Sequence, residues 1–204
     1  PKLEEQAQAI GNELMEAWKK RGLDVFDGIF YRLDNIDQLN SGSKIIEMST
    51  INYSLTMGYK ELAKIHKLDK RQYTLHISVG SMLKTTDQKY IFGIRGKTNH
   101  DTNVDLVGGC LLKSEKTINR GKDVENHILK EIKEETNIDQ DDIAENKFLG
   151  MLIGDSMSII FIFETKLKVN SKDCIKIFNN HHDKELSDLL FIDIEKVTDF
   201  LKNQ

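Results

Sequence analysis

The sequence predicts an α/β fold in which helices flank a mixed β-sheet, with a small N-terminal α/β extension packed on the main domain. Hydrophobic residues make up 39% of the 204 residues, which is enough for a buried core, and charged residues make up 30%. β-rich segments alternate with amphipathic helical segments, and the pattern becomes richer in strands near Gln72. We therefore expect the extension to span residues 1–72 and the main domain to span residues 73–204.

The extension is predicted to combine two helices with two strands. Its first helix covers residues 3–20, because apolar side chains recur there at helical spacing: Ala7, Ile10, Leu14 and Trp18. Gly22 follows as a stop signal. The next segments are predicted as two strands and a second helix, in the order 28–33, 43–49 and 53–66.

The main domain is predicted to be rich in strands and to carry one central helix. The predicted strands cover residues 73–83, 89–96, 104–112, 147–154, 158–167 and 189–194. Gly108 and Gly109 interrupt the third of these strands, and the segment between the fifth and sixth strands is predicted to be a polar loop. A last helix over residues 195–202 closes the chain.

Charge and composition exclude several classes of function. The net charge is −4 and the isoelectric point is near 5.9, so the electrostatic signature of a protein that binds nucleic acid polymers is absent. The sequence has no apolar run long enough for a membrane span, and its polar start lacks a signal-peptide pattern, so we expect a cytoplasmic protein. Cys110 and Cys174 lie far apart in the sequence and are expected to be free thiols.

The central helix concentrates acidic residues beside an apolar stripe. It is predicted to run from Asp123, as its cap, to about Thr136, with Val124, Ile128 and Ile132 on the buried side. Glu131, Glu134 and Glu135 fall on one edge of this helix. Because like charges at this spacing destabilise a helix, the cluster is either a solvated acidic face or a site for a hard divalent cation such as Mg²⁺ or Mn²⁺.

Two further features favour the metal site. Gly108 and Gly109 precede the helix, and glycines there allow backbone N–H groups to approach phosphate oxygens closely. Arg95 ends a predicted strand and is a planar donor suited to phosphate. Together these residues predict a site for a diphosphate and a metal ion.

These residues resemble the signature of the Nudix hydrolases. The second half of that signature reads Arg-Glu-aliphatic-any-Glu-Glu-any-Gly-aliphatic, and the run from Lys130 to Ile138, KEIKEETNI, is similar to it. Lys130 stands in place of the arginine, and Asn137, which tolerates a left-handed backbone, stands in place of the glycine. VGGCLL is similar to the usual Pro-Gly-Gly strand end, with Val107 in place of proline.

Other positions depart from the signature. Lys122 occupies a position that is commonly acidic, and there it could pair with a carboxylate and compete with metal. The segment between Gly109 and the helix is longer than the signature allows, and Glu115 fits the first spacing only on the wrong side of this insertion.

The resemblance covers residues 73–204 and implies a Nudix α/β/α sandwich with Mg²⁺ or Mn²⁺ as cofactor. It implies that Glu131, Glu134 and Glu135 are metal ligands and that Glu134 or Glu135 is the catalytic base. The substrate would be a small-molecule nucleotide, with Arg95, Gly108, Gly109 and Glu185 as further binding candidates. The N-terminal third, with the stretches AWKKRGLDVFDGIFYRL and INYSLTMGYKE, is similar to the leader of a divergent Nudix branch that hydrolyses UDP-glucose and UDP-galactose.

Several alternatives remain open at the level of sequence. The chain could hydrolyse a UDP-sugar, ADP-ribose or a dinucleoside polyphosphate, or it could be a nucleotide-binding module without useful turnover. Its oligomeric state, monomer or homodimer, is open as well. His181 and His182, with Asp183, form either a second metal site or a solvated loop. The aromatic residues of the extension either stack on a base or belong to the core: Trp18, Phe26, Tyr31, Tyr53 and Tyr59.

Overall fold

The computed structural model divides the chain into two compact units. It describes residues 2–23, 25–38, 44–66, 75–95, 104–113, 117–153, 158–181 and 185–203. The first unit comprises Pro1–Ser78, Cys110–Asn119 and Leu152–Ile160, and the second comprises Val79–Gly109, Arg120–Met151 and Phe161–Gln204. The predicted boundary at residues 72 and 73 lies outside the described residues.

Two helices and a set of antiparallel strands form the first unit. Its elements are α1 (Lys2–Lys20), β1 (Ile29–Gln38), β2 (Lys44–Asn52), α2 (Tyr53–His66) and the beginning of β3 (Leu75–Lys84). β1 pairs with β2 along its length, with a bulge between Leu33 and Asn35, and it pairs with β3 through Arg32 and His76. The helices α1 and α2 confirm the predictions over residues 3–20 and 53–66.

The two helices of the first unit cross at very close range. A β-carbon on Gly11 would stand 1.9 Å from the Ser54 carbonyl oxygen, and one on Gly58 would stand 1.7 Å from the Ala7 carbonyl oxygen. Only glycine allows the two backbones to approach so closely. The helices pack over a small core made of Ala7, Ile51, Tyr59 and Leu62.

Most of the remaining strands and helices belong to the second unit. Besides the end of β3, they are β4 (Lys89–Arg95), β5 (Val104–Asp105), α3 (Gly121–Thr136), β6 (Ile143–Ile153), β7 (Ser158–Leu167), α4 (Ser171–Asn179), β8 (Leu186–Asp193) and α5 (Val197–Lys202). β4 lies at the centre of this unit, because it pairs antiparallel with β3, β5 and β8. β7 pairs with β3 and β6. The predicted combination of a sheet with helices is confirmed.

The core of the second unit lies between α3 and the strands. The predicted apolar stripe of α3 is buried: Val124, Ile128 and Ile132. The strands contribute buried side chains that include Leu83, Ile91, Phe161 and Phe163. This packing fixes which edge of α3 presents the glutamates.

Several strand bounds differ from the prediction, since β1 continues to Gln38 instead of ending at Leu33 and β8 begins at Leu186 instead of Leu189. The strand predicted over residues 104–112 is regular only at Val104–Asp105, because Gly108 has a φ of 154° that interrupts the extended backbone. β6 begins at Ile143, earlier than the predicted start at Lys147, since pairing with β7 extends it through a polar segment.

The prediction of a polar loop after β7 was wrong, because residues 171–179 form the helix α4. The Asn170 side chain caps the helix by accepting from the Asp173 N–H. Asp87, which is distant in sequence, accepts hydrogen bonds from the backbone and hydroxyl of Ser171. Cys174 and Phe178 lie on the inner face of α4 and are buried. The local signals, an Asn170 cap and apolar side chains at Cys174, Ile177 and Phe178, are present in the sequence but span little more than two turns.

The aromatic residues of the extension differ in burial. Tyr31 and Tyr59 are buried in the core, whereas Phe26 is 68% exposed. Trp18 and Tyr53 are half-buried. In the described ranges, no helix combines the length and apolar character that crossing a membrane requires.

Candidate active site

The acidic helix α3 begins earlier than predicted, and Asp123 is not its cap. Arg120 occupies the cap position, and Asp123 is the third helical residue. The Asp123 carboxylate accepts a hydrogen bond from the Arg120 N–H at 3.1 Å, which is half of a capping box. The helix start is therefore set by a carboxylate inside the first turn.

The end of α3 agrees with the sequence prediction. Asn137 follows the last helical residue with a left-handed backbone, at a φ of 62°. Its N–H donates to the Lys133 carbonyl oxygen at 2.9 Å. Lys133 Nζ contacts the Asn137 side-chain oxygen at 2.8 Å. Asparagine thus fills the position at which the Nudix signature has glycine.

Glu135 is the most deeply buried carboxylate of the site, with 2% of its surface exposed. Its Oε2 accepts a hydrogen bond from the Gly108 N–H at 2.8 Å, and its Oε1 accepts one from Arg95 Nη2 at 3.0 Å. Burial raises the pKa of Glu135, although the Gly108 amide and the Arg95 charge oppose that rise. Glu135 therefore joins α3, β4 and the Gly108 turn.

In the second unit, the Arg95 guanidinium lies close to the carboxylates of Glu135, Asp105 and Glu185. Its Nε is 3.2 Å from Asp105 Oδ2, its Nη1 is 3.5 Å from Glu185 Oε2, and its Nη2 is 3.5 Å from the Gly108 carbonyl oxygen. Burial alone would lower the pKa of Arg95, but Glu135, Asp105 and Glu185 together raise it. The structure thus brings the predicted residues Arg95 and Glu185 together with Glu135.

Sequence reasoning missed Asp105 as part of this arrangement. Asp105 lies on β5, where it pairs with Gly93 of β4, close to Arg95. A single aspartate in a polar segment carries no signal of such a role. Only the pairing of β4 with β5 places it there.

Gly108 and Gly109 are both in close contact with their surroundings. A β-carbon on Gly108 would stand 2.1 Å from the Val79 carbonyl oxygen, and one on Gly109 would stand 2.3 Å from Glu131 Oε2. The two glycines thus lie directly against the acidic helix, one bonded to Glu135 and the other beside Glu131. That their N–H groups hold phosphate oxygens stays a prediction, since the Gly108 N–H is donated to Glu135 in this structure.

Glu131 also contacts a histidine that the sequence analysis did not single out. His127 Nε2 lies 3.2 Å from Glu131 Oε1, one helical turn away, and both side chains are largely buried. Their spacing along α3 is the only sequence signal for this pair. The contact orients the Glu131 carboxylate, which lies beside Gly109.

Glu134 is the exposed member of the acidic cluster. Lys130 Nζ lies 3.0 Å from its Oε2, and its side chain is 54% exposed. The Glu134 carbonyl oxygen lies 2.6 Å from His181 Nε2. His181 is thus placed beside α3, whereas His182 and Asp183 lie outside the described residues.

Lys122 makes its ion pair away from the three candidate ligands. Its Nζ lies 2.9 Å from Glu125 Oε2, on the exposed side of α3. The carboxylate with which Lys122 pairs is therefore Glu125.

Each carboxylate of the predicted triad contacts a different cationic or polar partner. In the part of the chain that the structure describes, no three His, Cys, Asp or Glu side chains are grouped as a metal-holding set. Glu131 and Glu134 nevertheless supply oxygen donors of the kind that Mg²⁺ prefers. Each Glu135 oxygen accepts one hydrogen bond, from Arg95 or from the Gly108 amide, and keeps a second lone pair.

Comparisons with known proteins gave remote structural similarities. No family model and no curated protein matches the sequence. DR0079 from Deinococcus radiodurans is similar over 67% of this chain and 86% of its own, with 14% identity and a TM-score of 0.45. A Nudix hydrolase from Nitrosomonas europaea is similar over 63% of this chain and 78% of its own, with 13% identity and a TM-score of 0.43.

The Nudix domain of Shewanella oneidensis NrtR, solved with ADP ribose, is similar over 68% of this chain and 86% of its own. The identity is 13% and the TM-score is 0.43. At this level of similarity, the assignment to a family depends on the residues of the site.

Proposed function

We propose that this chain is a Nudix-type pyrophosphohydrolase that cleaves a nucleoside diphosphate linked to another group. One observation carries the proposal: Gly108 and Gly109 lie against Glu135 and Glu131 of the acidic helix. The resemblance to the Nudix signature requires the glycine turn and the glutamates to meet in one site. These contacts support that requirement, although the segment between the two motifs is longer than the signature allows.

The proposed cofactor is Mg²⁺ or Mn²⁺. Glu131 and Glu134 would hold it, and Glu135 would join them through the lone pairs that its hydrogen bonds with Arg95 and Gly108 leave over. When bound, the ion would offset the negative charge of the diphosphate and make a water molecule more acidic.

Glu135 is the better placed of the two candidate bases. Its burial raises its pKa, and a carboxylate with a raised pKa accepts a proton more readily. Arg95 and Gly108 hold the side chain in one orientation through its two oxygens. Glu134 is exposed and pairs with Lys130, which suits a ligand that must be reached from solvent.

The proposed reaction is hydrolysis between the two phosphates. Water adds to one phosphorus, its proton passes to the carboxylate base, and the bond to the bridging oxygen breaks. UDP-glucose and water would thus give UMP and glucose 1-phosphate. A sugar phosphate leaves readily as an anion, whereas a sugar hydroxyl does not, so the products should not be UDP and glucose. The similarity of the N-terminal third to a UDP-sugar-hydrolysing branch supports this substrate.

The test is product analysis with a panel of nucleotides. The full chain is incubated with UDP-glucose, UDP-galactose, ADP-ribose and a dinucleoside polyphosphate, with and without Mg²⁺, and the nucleotides are separated. We expect metal-dependent release of UMP from UDP-glucose, reduced about a hundredfold or more in Glu135→Gln. Glu125→Gln, on the exposed side of the same helix, is the matched control and should retain turnover. UDP as the main product would rule out the mechanism.

A second candidate function is nucleotide binding without useful turnover. The observation that favours it is the contact of both Glu135 oxygens with Arg95 and Gly108, which offsets the negative charge that would attract a metal ion. Binding of a nucleotide with no product from any member of the panel would support this alternative.

A further inference from the structure

The part of β6 that belongs to the second unit, residues 143–151, forms an edge of the sheet. Among the described strands, β6 pairs only with β7. Thr165 and Lys166 of β7 bond to Asn146 and Glu145 of β6, so the two strands lie side by side there. The opposite side of β6 has no neighbour among the described strands. An unpaired edge of this kind offers backbone N–H and C=O groups to another strand.

This edge carries exposed apolar side chains on both of its faces. Phe148 is 47% exposed and Leu149 is 50% exposed, and as neighbours on a strand they point to opposite faces. The Phe148 ring lies 6.0 Å from the ring of Phe161 and 5.5 Å from that of Phe163, and both of these partners are buried. Phe148 thus extends the core of the second unit to the edge of the sheet, where nearly half of its surface stays uncovered.

The edge has little protection against pairing with another chain. Edge strands are commonly protected by short length, by proline or by charged side chains. β6 has 11 residues, and the only proline of the chain is Pro1. The charged side chains of β6 are Glu145 and Lys147, which are both exposed and have opposite signs. Because a lysine at an edge disfavours a partner that leaves its charge unmatched, β6 favours a strand that brings a carboxylate opposite Lys147.

A second copy of β6 brings that carboxylate in one register. Two copies that pair antiparallel in a closed dimer are related by a two-fold axis, so one residue of the strand faces its own copy. When Asn146 is that residue, Glu145 faces Lys147 of the second copy, and Lys147 faces the Glu145 of that copy. When Glu145 or Lys147 faces its own copy instead, like charges meet, which is unfavourable. The charges of β6 therefore select the register centred on Asn146.

The same register covers the exposed apolar side chains. Phe148 faces Ala144 of the second copy, and Leu149 faces Ile143. Ala144 is exposed and small, so it leaves room for the Phe148 ring. Each of these contacts forms twice because of the two-fold symmetry. Charge pairing and apolar burial thus select one arrangement together.

We infer that the chain forms a homodimer in which β6 pairs antiparallel with β6 of a second copy, over residues 143–149 and centred on Asn146. The contact is short, so the dimer should be weak, with a dissociation constant on the order of 10 µM. The inference goes beyond the proposed hydrolysis and does not depend on it, because no residue of the proposed metal and phosphate site takes part.

Analytical ultracentrifugation of the full chain over a range of concentrations tests the association. We expect the wild type to pass from monomer to dimer as its concentration rises. Glu145→Lys and Lys147→Glu each set like charges face to face at two places, so each variant alone should associate at least about tenfold more weakly. Lys172→Glu, an equal change of charge at an exposed position of α4, is the matched control and should dimerise like the wild type. A wild type that stays monomeric throughout, or single variants that dimerise as tightly as the wild type, would overturn the inference.

A mixture of the two variants is the sharpest measurement. The Glu145→Lys chain carries lysine at both positions, and the Lys147→Glu chain carries glutamate at both. In a mixed dimer every lysine faces a glutamate, so equal amounts of the two variants should dimerise about as tightly as the wild type. If the mixture stays as monomeric as its components, the two positions do not face each other and the proposed pairing is wrong.

Hydrogen exchange on the wild type gives a measurement that needs no variant. Backbone N–H groups within residues 143–149 should exchange more slowly above the dissociation constant than well below it, since strand pairing protects them. Those of α4 should exchange at the same rate at both concentrations. Protection that grows with concentration elsewhere, but not in β6, would assign the dimer to another surface and contradict the inference.

Discussion

Gly109 and Glu131 are packed so closely that a β-carbon on the glycine would stand 2.3 Å from the glutamate Oε2. The neighbouring Gly108 meets a rigid obstacle instead, since its β-carbon would stand 2.1 Å from the Val79 carbonyl oxygen. A side chain at Gly109 would thus meet the movable end of a candidate metal ligand, whereas a side chain at Gly108 would meet backbone. This difference leads to the first prediction.

Gly109→Ala should impair the site and spare the fold, because the Glu131 side chain can turn away from the new methyl group. Gly108→Ala should destabilise the protein by about 2–3 kcal/mol, since it combines a backbone clash with an unfavourable φ. Thermal unfolding and Mn²⁺ titration measure the two effects separately. Equal losses of stability in the two variants would contradict this account.

The second prediction concerns the metal ion. Mg²⁺ or Mn²⁺ should raise the unfolding temperature, because only the folded helix brings the ligands together. Replacing both Glu131 and Glu134 by Gln should abolish this rise, whereas Glu125→Gln should keep it. A metal response that survives in the double variant would show that the ion binds elsewhere.

The third prediction concerns the contact between Arg95 and Glu135. Arg95→Met leaves a buried carboxylate with one donor fewer and should lower the free energy of unfolding by about 1–3 kcal/mol. In a Glu135→Gln background the same change should cost less, since no buried charge is then left behind. Urea unfolding of the wild type, both single variants and the double variant gives the coupling energy directly. Simple additivity would show that the two side chains do not stabilise each other.

The fourth prediction is a pH dependence at the start of α4. Hydrogen bonds from Ser171 lower the pKa of Asp87 from an ordinary 3.8 to about 2. A lowered pKa in the folded state stabilises the protein above the ordinary value, and this contribution is lost as pH falls from about 4 to about 2. Asp87→Asn should therefore be less stable than the wild type at pH 7, and the difference should shrink towards pH 2.

Asp141→Asn serves as the control for that comparison, because Asp141 is exposed. Its stability difference from the wild type should be small at every pH. A constant difference between Asp87→Asn and the wild type from pH 7 to pH 2 would argue against the linkage.

Sequence reasoning anticipated much of the fold and the principal residues of the candidate site. The spacing of Val124, Ile128 and Ile132 was enough to identify the buried side of α3, and with it the edge that carries the glutamates. It did not identify Asp105 or His127, whose roles depend on contacts with Arg95 and Glu131. It also assigned the helix cap to Asp123, although the residue acts from within the first turn.

The sequence by itself determined the features that arise from neighbouring residues. Local backbone geometry accounts for the helical periodicity of α1 and α2 and for the left-handed backbone of Asn137. It also accounts for the grouping of three glutamates on one helix, namely Glu131, Glu134 and Glu135. Tertiary structure decided how the helix over residues 171–179 is anchored, because Asp87, far away in the sequence, accepts hydrogen bonds from Ser171 at its start. It also decided that Arg95 binds Glu135, Asp105 and Glu185 together. The physical reason is that the partners of a buried charge are chosen by strand pairing and packing, which join residues that no local pattern connects.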